Sequence, residues 1–453
     1  MRNFFISIRN HLKKAFDNIR NERLKNNLLQ AVPFWIASVV TGIIAVMYAR
    51  IFHQAELLLE KMMNWHDWLI FILAPMGFVF SWWLVKKFAP NAKGSGIPQV
   101  MAAIELANPK ENKLIKHFLN LKIIVLKILS SLVLVIGGGA IGREGPTIQI
   151  AGSVFRKVNE YLPNWWSKIS KKNMIMTGAA AGLSAAFNTP LGGIVFAVEE
   201  LAKTHLNYFK TALFTAVIIA GLTAQTLAGS YLYLGYPKTG DVALTIMFPV
   251  ILVAGISGIL ASRLSQMMLK INRWKSRKLK TDFANIIFLI ISALMIASIA
   301  FFISREILGS GVGIMERVLF TDDKHEDWYI PIFRMLGPAL SFTSGGSGGI
   351  FAPALSAGAS IGSVISGWIN LNANETNVVI LAGMVAFLTG ITRAPFTSAI
   401  LVLEMTDRHS LIFHLMLAGM VSSLVSLLIS RHSLYESLKI NYLQEIRREN
   451  QEN

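Results

Sequence analysis

The chain has 453 residues, 53% hydrophobic and 15% charged, with a mean hydropathy of +0.51; a soluble domain carries about 25% charged residues, so a water-soluble globular protein is excluded. The absence of cysteine excludes disulfides, cysteine-ligated zinc, iron–sulfur clusters and thiol chemistry. A net charge of +17 would suit a nucleic-acid binder, but the basic residues gather beside apolar spans, the positive-inside signature of a cytoplasmic face.

In chain order, residues 1–30 come first, a basic arm with Arg2, Arg9, Lys13, Lys14, Arg20, Arg23 and Lys25. The arm is expected to lie as an amphipathic helix on anionic lipid at the cytoplasmic surface. The first apolar stretch begins near residue 28 and is long enough to span, so no cleaved signal is expected. Residues 31–49, 123–141 and 286–303 each reach the roughly 18 residues that mark a transmembrane helix. Pro98, Pro146, Pro190, Pro353 and Pro395 interrupt apolar sequence. Broken backbone at membrane depth is tolerated only where protein buries it or it lines a polar cavity, so these breaks point to a transport pathway. The basic loop 156–172 and the basic run 263–280 are assigned to the cytoplasmic side.

An internal repeat is expected. Gly178, Pro190 and Glu199 are matched by Gly383, Pro395 and Glu404, each 205 positions later, and Pro146 by Pro353 at 207. Matches in the same order predict a duplication. Repeat one covers 31–229, a polar linker 230–245, repeat two 246–430, and a cytoplasmic C-terminal tail 431–453.

Three short segments share one design: Gly94-Ser-Gly-Ile-Pro98, Gly142-Arg-Glu-Gly-Pro146 and Gly349-Ile-Phe-Ala-Pro353. Each opens with Gly, closes with Pro and leads into helix-forming sequence. Pro is favoured in the first helical turn, where its missing N–H costs nothing. The glycines, Gly96 and Gly145 included, let the backbone bend so that N–H groups project forward. A helix start of this kind carries free donors and a positive dipole end, which together bind anions. An anion in the bilayer would otherwise cost tens of kcal/mol. Neutral donors replace its water without trapping it as a full charge would, and the Ser95 hydroxyl adds one more. Glu144 stands among these donors as a tethered competitor for the anion, able to occupy its place when ionised and to leave when protonated. A bland alternative makes Glu144 a partner for neighbouring Arg143.

These segments resemble the CLC family of chloride channels and transporters, from about residue 28 to 438. Ala-Phe-Asn-Thr-Pro-Leu-Gly-Gly-Ile, running on to Glu199-Glu200, and Ser433-Leu-Tyr435 also match. The resemblance implies an all-α polytopic membrane protein, an inverted-topology repeat of tilted and broken helices, assembled as a homodimer with a pore in each subunit. It implies that Ser95, the backbone amides of Ile350 and Phe351, and the Tyr435 hydroxyl hold chloride. Glu144 would be the external gate and outer proton glutamate, and Glu200 the inner proton glutamate of an exchanger. Glu199 has a repeat counterpart in Glu404 whereas Glu200 faces Met405, so the repeat itself does not require Glu200. Lys127 matches a lysine of the exchangers and would balance buried negative charge. In the family a Pro in place of the serine accompanies nitrate preference, and fluoride exporters alter this segment and lack the inner glutamate, so Ser95 and Glu200 together imply chloride. Chloride and protons are the expected transported ions, with no cofactor or metal and no nucleic acid as partner. The expected location is a prokaryotic inner membrane.

Three other readings compete with this one. A passive chloride channel of the same family is the nearest. Gly345-Gly-Ser347-Gly-Gly349 fits the serine-hydrolase pattern Gly-x-Ser-x-Gly, but only His414 lies in a strongly apolar stretch where a base would be needed. A non-transporting scaffold would have no use for three anion-directed helix starts.

Overall fold

The computed structural model describes residue 17 and residues 20–202, 210–229, 233–240 and 244–452. Residues 1–16 fall outside these, and with them Arg2, Arg9, Lys13, Lys14 and most of the expected surface helix. The described chain is helical, without strands. The first half carries α1 (Glu22–Trp65), α2 (Ile70–Phe88), α3 (Ile97–Glu105), α4 (Leu121–Ile136), α5 (Glu144–Tyr161), α6 (Lys171–Phe187), α7 (Pro190–Phe196) and α8 (Lys210–Ala228). The second carries α9 (Met247–Lys278), α10 (Asp282–Phe302), α11 (Val312–Phe320), α12 (Ile330–Thr343), α13 (Phe351–Trp368), α14 (Ala373–Thr392), α15 (Pro395–Thr406) and α16 (Ile412–Ile429), followed by α17 (Leu434–Glu452). The two series run in the same order of long, short and broken helices.

Eight described helices are long and apolar enough to cross a membrane. Their burial separates centre from periphery: 94% of the most apolar window is buried in α14, but only 28% in the segment that includes α16. The α14 start is fixed by a capping box between Asn372 and Glu375. The five prolines all stand within the first three residues of a helix: Pro98 in α3, Pro146 in α5, Pro190 in α7, Pro353 in α13 and Pro395 in α15.

Some boundaries differ from the sequence expectation. The division at residue 31 falls inside α1, because residues 22–32 contain neither Gly nor Pro to end a helix. The span expected over 123–141 stops at Ile136, where Gly137, Gly138 (φ 75°) and Gly139 follow. The segment after residue 431 carries α17. Its helix buries Leu434, Tyr435 and Leu438.

A local two-fold axis relates the halves. Gly142 and Gly349, which are 207 positions apart, exchange two backbone bonds of 2.8 and 2.7 Å. Reciprocal contact between equivalent residues is what two-fold symmetry produces. Glu199 accepts from Phe396 N (3.1 Å) and Thr397 N (2.6 Å), while Glu404 accepts from Leu191 N (3.0 Å) and Gly192 N (2.7 Å). Each carboxylate thus caps the Pro-initiated helix of the other half. The matched glutamates are the clasp between repeats.

Candidate functional site

The three Gly–Pro segments meet at the centre of the molecule. Gly94 N donates to Gly346 O (2.8 Å) and Gly348 N to Gly94 O (3.1 Å), which joins the first segment to the loop before α13. The Gly142–Gly349 pair joins the other two. A methyl group on Gly145 would collide with the Ser95 hydroxyl and lie 3.3 Å from Gly349 Cα. At Gly96 (φ 102°) it would lie 2.7 Å from Gln149 Cβ, so here the glycines serve close approach as well as bending. The starts of α3, α5 and α13 are thereby brought together. Ser95, Glu144, Ile350, Phe351 and Tyr435 are all at most 1% exposed.

The polarity of this centre follows from where the backbone groups go. Ile350 and Phe351 open α13, ahead of its first intrahelical bond, which Ala354 N donates to Ile350 O (2.9 Å); the first N–H groups of a helix have no intrahelical acceptor. The carbonyls that would repel an anion are taken up elsewhere. Lys127 Nζ donates to Ala92 O (2.9 Å) and Gly94 O (2.7 Å), and Ser347 Oγ also donates to Ala92 O (2.6 Å). Lys127 thereby engages the carbonyls of this loop. Ser347 is committed to the same task, which removes it as a nucleophile. The Tyr435 side chain lies beside Ser95. Both hydroxyls are buried, and neither has a hydrogen-bond partner of acceptable geometry. Buried hydroxyls are normally satisfied, so two unsatisfied ones at converging helix starts fit a halide.

We call the face bearing the basic segments 156–172 and 263–280 the inner face. A cavity of about 650 Å³ opens there, and Lys86, Lys93, Arg273, Lys275 and Arg277 line it together with Gly94. Such a funnel concentrates anions. Glu200 lies apart from it. It sits on a π-helical turn, Ala197–Ala202, is 7% exposed, and lines a separate cavity of about 300 Å³ with Glu105, Lys172 and Lys439. Its burial speaks against a merely solvated helix-end glutamate. Tyr435 is within electrostatic reach of both Glu200 and Glu144.

Glu144 lines an outer cavity of about 260 Å³. Its Oε1 accepts from the Tyr233 hydroxyl at 3.2 Å, and Oε2 is buried without a partner. Arg143 Nη1 donates to Ala49 O (3.0 Å), tying this segment to α1. Sequence reasoning missed Tyr233, which lies in the segment read as a linker. It also missed a second Gly-Ser-Gly loop, Gly309-Ser-Gly311, before α11. Ser310 donates through both N (3.2 Å) and Oγ (2.7 Å) to Glu56 Oε1. Arg334, fully buried, donates to Glu306 O (2.8 Å) and Leu308 O (3.0 Å). Arg334 stands 207 positions after Lys127 and plays the same part. The repeated Gly-Ser-Gly was the available signal.

Helix starts converging on buried donors within a two-fold, broken-helix bundle define a membrane anion transporter. Residues 77–427 match the voltage gated chloride channel family. The chain belongs to that family. An H(+)/Cl(-) exchange transporter ClcA of Citrobacter koseri is 28% identical over 420 residues, covering 89% of this chain and 86% of that protein. One of Salmonella newport is 29% identical over 387 residues, covering 81% and 79%. Among solved structures, a slow cyanobacterial Cl-/H+ antiporter aligns with TM-score 0.78 at 22% identity, covering 91% of this chain and 98% of that one. A CLC-type fluoride/proton antiporter aligns with TM-score 0.76 at 16% identity, covering 93% and 99%. These two likenesses bear on the fold.

Proposed function

We propose that this chain is a transporter, not an enzyme, and that it exchanges chloride for protons across the membrane. The observation that carries the reading is the convergence of the unpartnered Ser95 and Tyr435 hydroxyls with the helix starts of α3, α5 and α13, beside the Glu144 carboxylate. The curated relatives named as H(+)/Cl(-) exchange transporters support the coupling.

In this reading, chloride enters from the basic inner cavity and rests against Ser95 Oγ, Tyr435 OH and the amides of Ile350 and Phe351. Ionised Glu144 competes for the place next to it, so anion and carboxylate occupy the pathway by turns. A proton reaching Glu144 removes its charge and with it the attraction of the helix dipoles, and the side chain withdraws into the outer cavity. Glu200 supplies the proton from the inner side through its own cavity, which keeps proton entry apart from the anion funnel. The repeats are read over 31–229 and 246–430, joined by 230–245. The working unit is read as a homodimer in a bacterial inner membrane; cross-linking in native membranes that gives only monomers would contradict the dimer.

Two variants in proteoliposomes test the roles. Glu144→Ala should pass chloride with no coupled proton. Glu200→Gln should lose proton movement by at least about a hundredfold, the scale of a missing transfer group, while chloride still passes. Full proton transport in Glu200→Gln would remove Glu200 from the pathway.

A further inference from the structure

Glu144 is held by more than its own helix start. Its carboxylate takes its own backbone N–H and one side-chain donor, the Tyr233 hydroxyl, at 3.2 Å from Oε1. Tyr233 is itself fixed on two sides. Its ring packs edge-on against Phe187 at 5.0 Å between centroids, and the next residue, Leu234, donates its N–H to Met405 O (3.1 Å) at the end of α15. Tyr233 is 8% exposed and lines the outer cavity beside Glu144. A residue of the inter-repeat segment, pinned to the second half, therefore reaches the gate of the first.

We propose that Tyr233 is the latch of the outer gate, a positioning residue whose hydroxyl holds the ionised Glu144 carboxylate in the pathway and weakens its grip when that carboxylate takes a proton. This rests on the reading of Glu144 as the outer gate. The physical cause is the difference between acceptors: a hydrogen bond to a carboxylate is about twice as strong as one to a neutral group. A contact with unequal strength in two states shifts their populations by that difference. Other titratable and charged groups stand around Glu144: Arg143 beside it, Tyr48, His53 and Glu56 from α1, Glu316 from α11 and Tyr435 from α17. All of them remain in Tyr233→Phe, which keeps the ring on Phe187 and removes only the hydroxyl.

The test is chloride efflux from proteoliposomes across a range of external pH, for the wild type, Tyr233→Phe, Glu144→Ala and the double variant. Tyr233→Phe should release the gate at less acidic pH. The half-point of its profile should move toward neutral by about one unit, the scale of a hydrogen bond to a charged group, with proton coupling retained. In the Glu144→Ala background the same substitution should change flux by less than about twofold, because the hydroxyl then has no gate to hold. An unmoved profile in Tyr233→Phe, or an equal effect with and without Glu144, would overturn the latch. Failure of the exchange reading looks different: the wild type would move no protons uphill, while the pH profile of chloride flux could still be read.

Discussion

Gly94-Ser-Gly96 and Gly309-Ser-Gly311 introduce the third helix of each half, and both bend through left-handed glycines, at φ 64° and 102° in the first and 62° and 82° in the second. Behind each, a buried cation from the fourth helix, Lys127 or Arg334, binds the carbonyls of the turn. The two loops differ in what meets the serine. Ser95 Oγ has no partner, whereas Ser310 gives both its donors to Glu56. One backbone device has been left open as a site and closed as a joint. The same division recurs along the repeat. Glu144 is opposite Phe351, and Glu200 is opposite Met405, while Glu199 and Glu404 keep the symmetric role of clasp. In the proposed reading, departures from the repeat carry the chemistry and agreements the scaffold.

The largest effect that sharpens this contrast comes from the two cations. Lys127→Met leaves the Ala92 and Gly94 carbonyls less satisfied, at about 1–3 kcal/mol each, and frees them to turn toward the anion. Chloride affinity by calorimetry should fall at least about tenfold, which corresponds to 1.4 kcal/mol, together with the melting temperature. Arg334→Met should lower the melting temperature comparably but leave chloride affinity within about twofold, since its loop is already filled by Glu56. Equal losses of affinity would break the distinction between open and closed loops.

The serines give the next effect. Ser95→Pro removes the hydroxyl read as an anion donor, and nitrate over chloride in flux assays should rise by about tenfold, the scale of one specific contact. Ser310→Ala should leave that ratio unchanged. An unaltered ratio in Ser95→Pro would detach Ser95 from selectivity.

The smallest effect concerns the docking of α17, which carries Tyr435. At its far end Arg447 Nε donates to Glu111 Oε1 (2.7 Å), and this bond holds the Glu111 carboxyl below its usual range. A depressed carboxylate contributes stability above its ordinary range and loses it as pH falls through the held-down value. Arg447→Ala should cost under about 1 kcal/mol at neutral pH, as for exposed pairs. Melting curves of variant and wild type should converge in acid. A difference that grew on acidification would contradict the sign.

Much of the architecture was legible because prolines and glycines are strong punctuation. Pro98, Pro146 and Pro353 each stand in the first turn of a helix, and the matched Glu199 and Glu404 each cap the Pro-initiated helix of the other half. The second Gly-Ser-Gly loop escaped because Gly313 stands where the first loop has Pro98, and because its spacing from the first is 215 positions, off the 205 to 207 of the other landmarks. The use of Lys127 was hidden since its partners are backbone carbonyls, which have no letter in the sequence. Tyr233 carried no periodic pattern; its place is set by Phe187 and, through Leu234, by Met405. The burial of α17 was likewise set by packing across distant segments.

The central claim is that anion and proton movements are coupled through one pathway, and the most direct measurement is proton movement in proteoliposomes of the purified wild type given only a chloride gradient. The account predicts protons driven uphill against their own gradient, in the direction opposite to chloride. Chloride flux with no accompanying proton movement would contradict it and leave a passive channel.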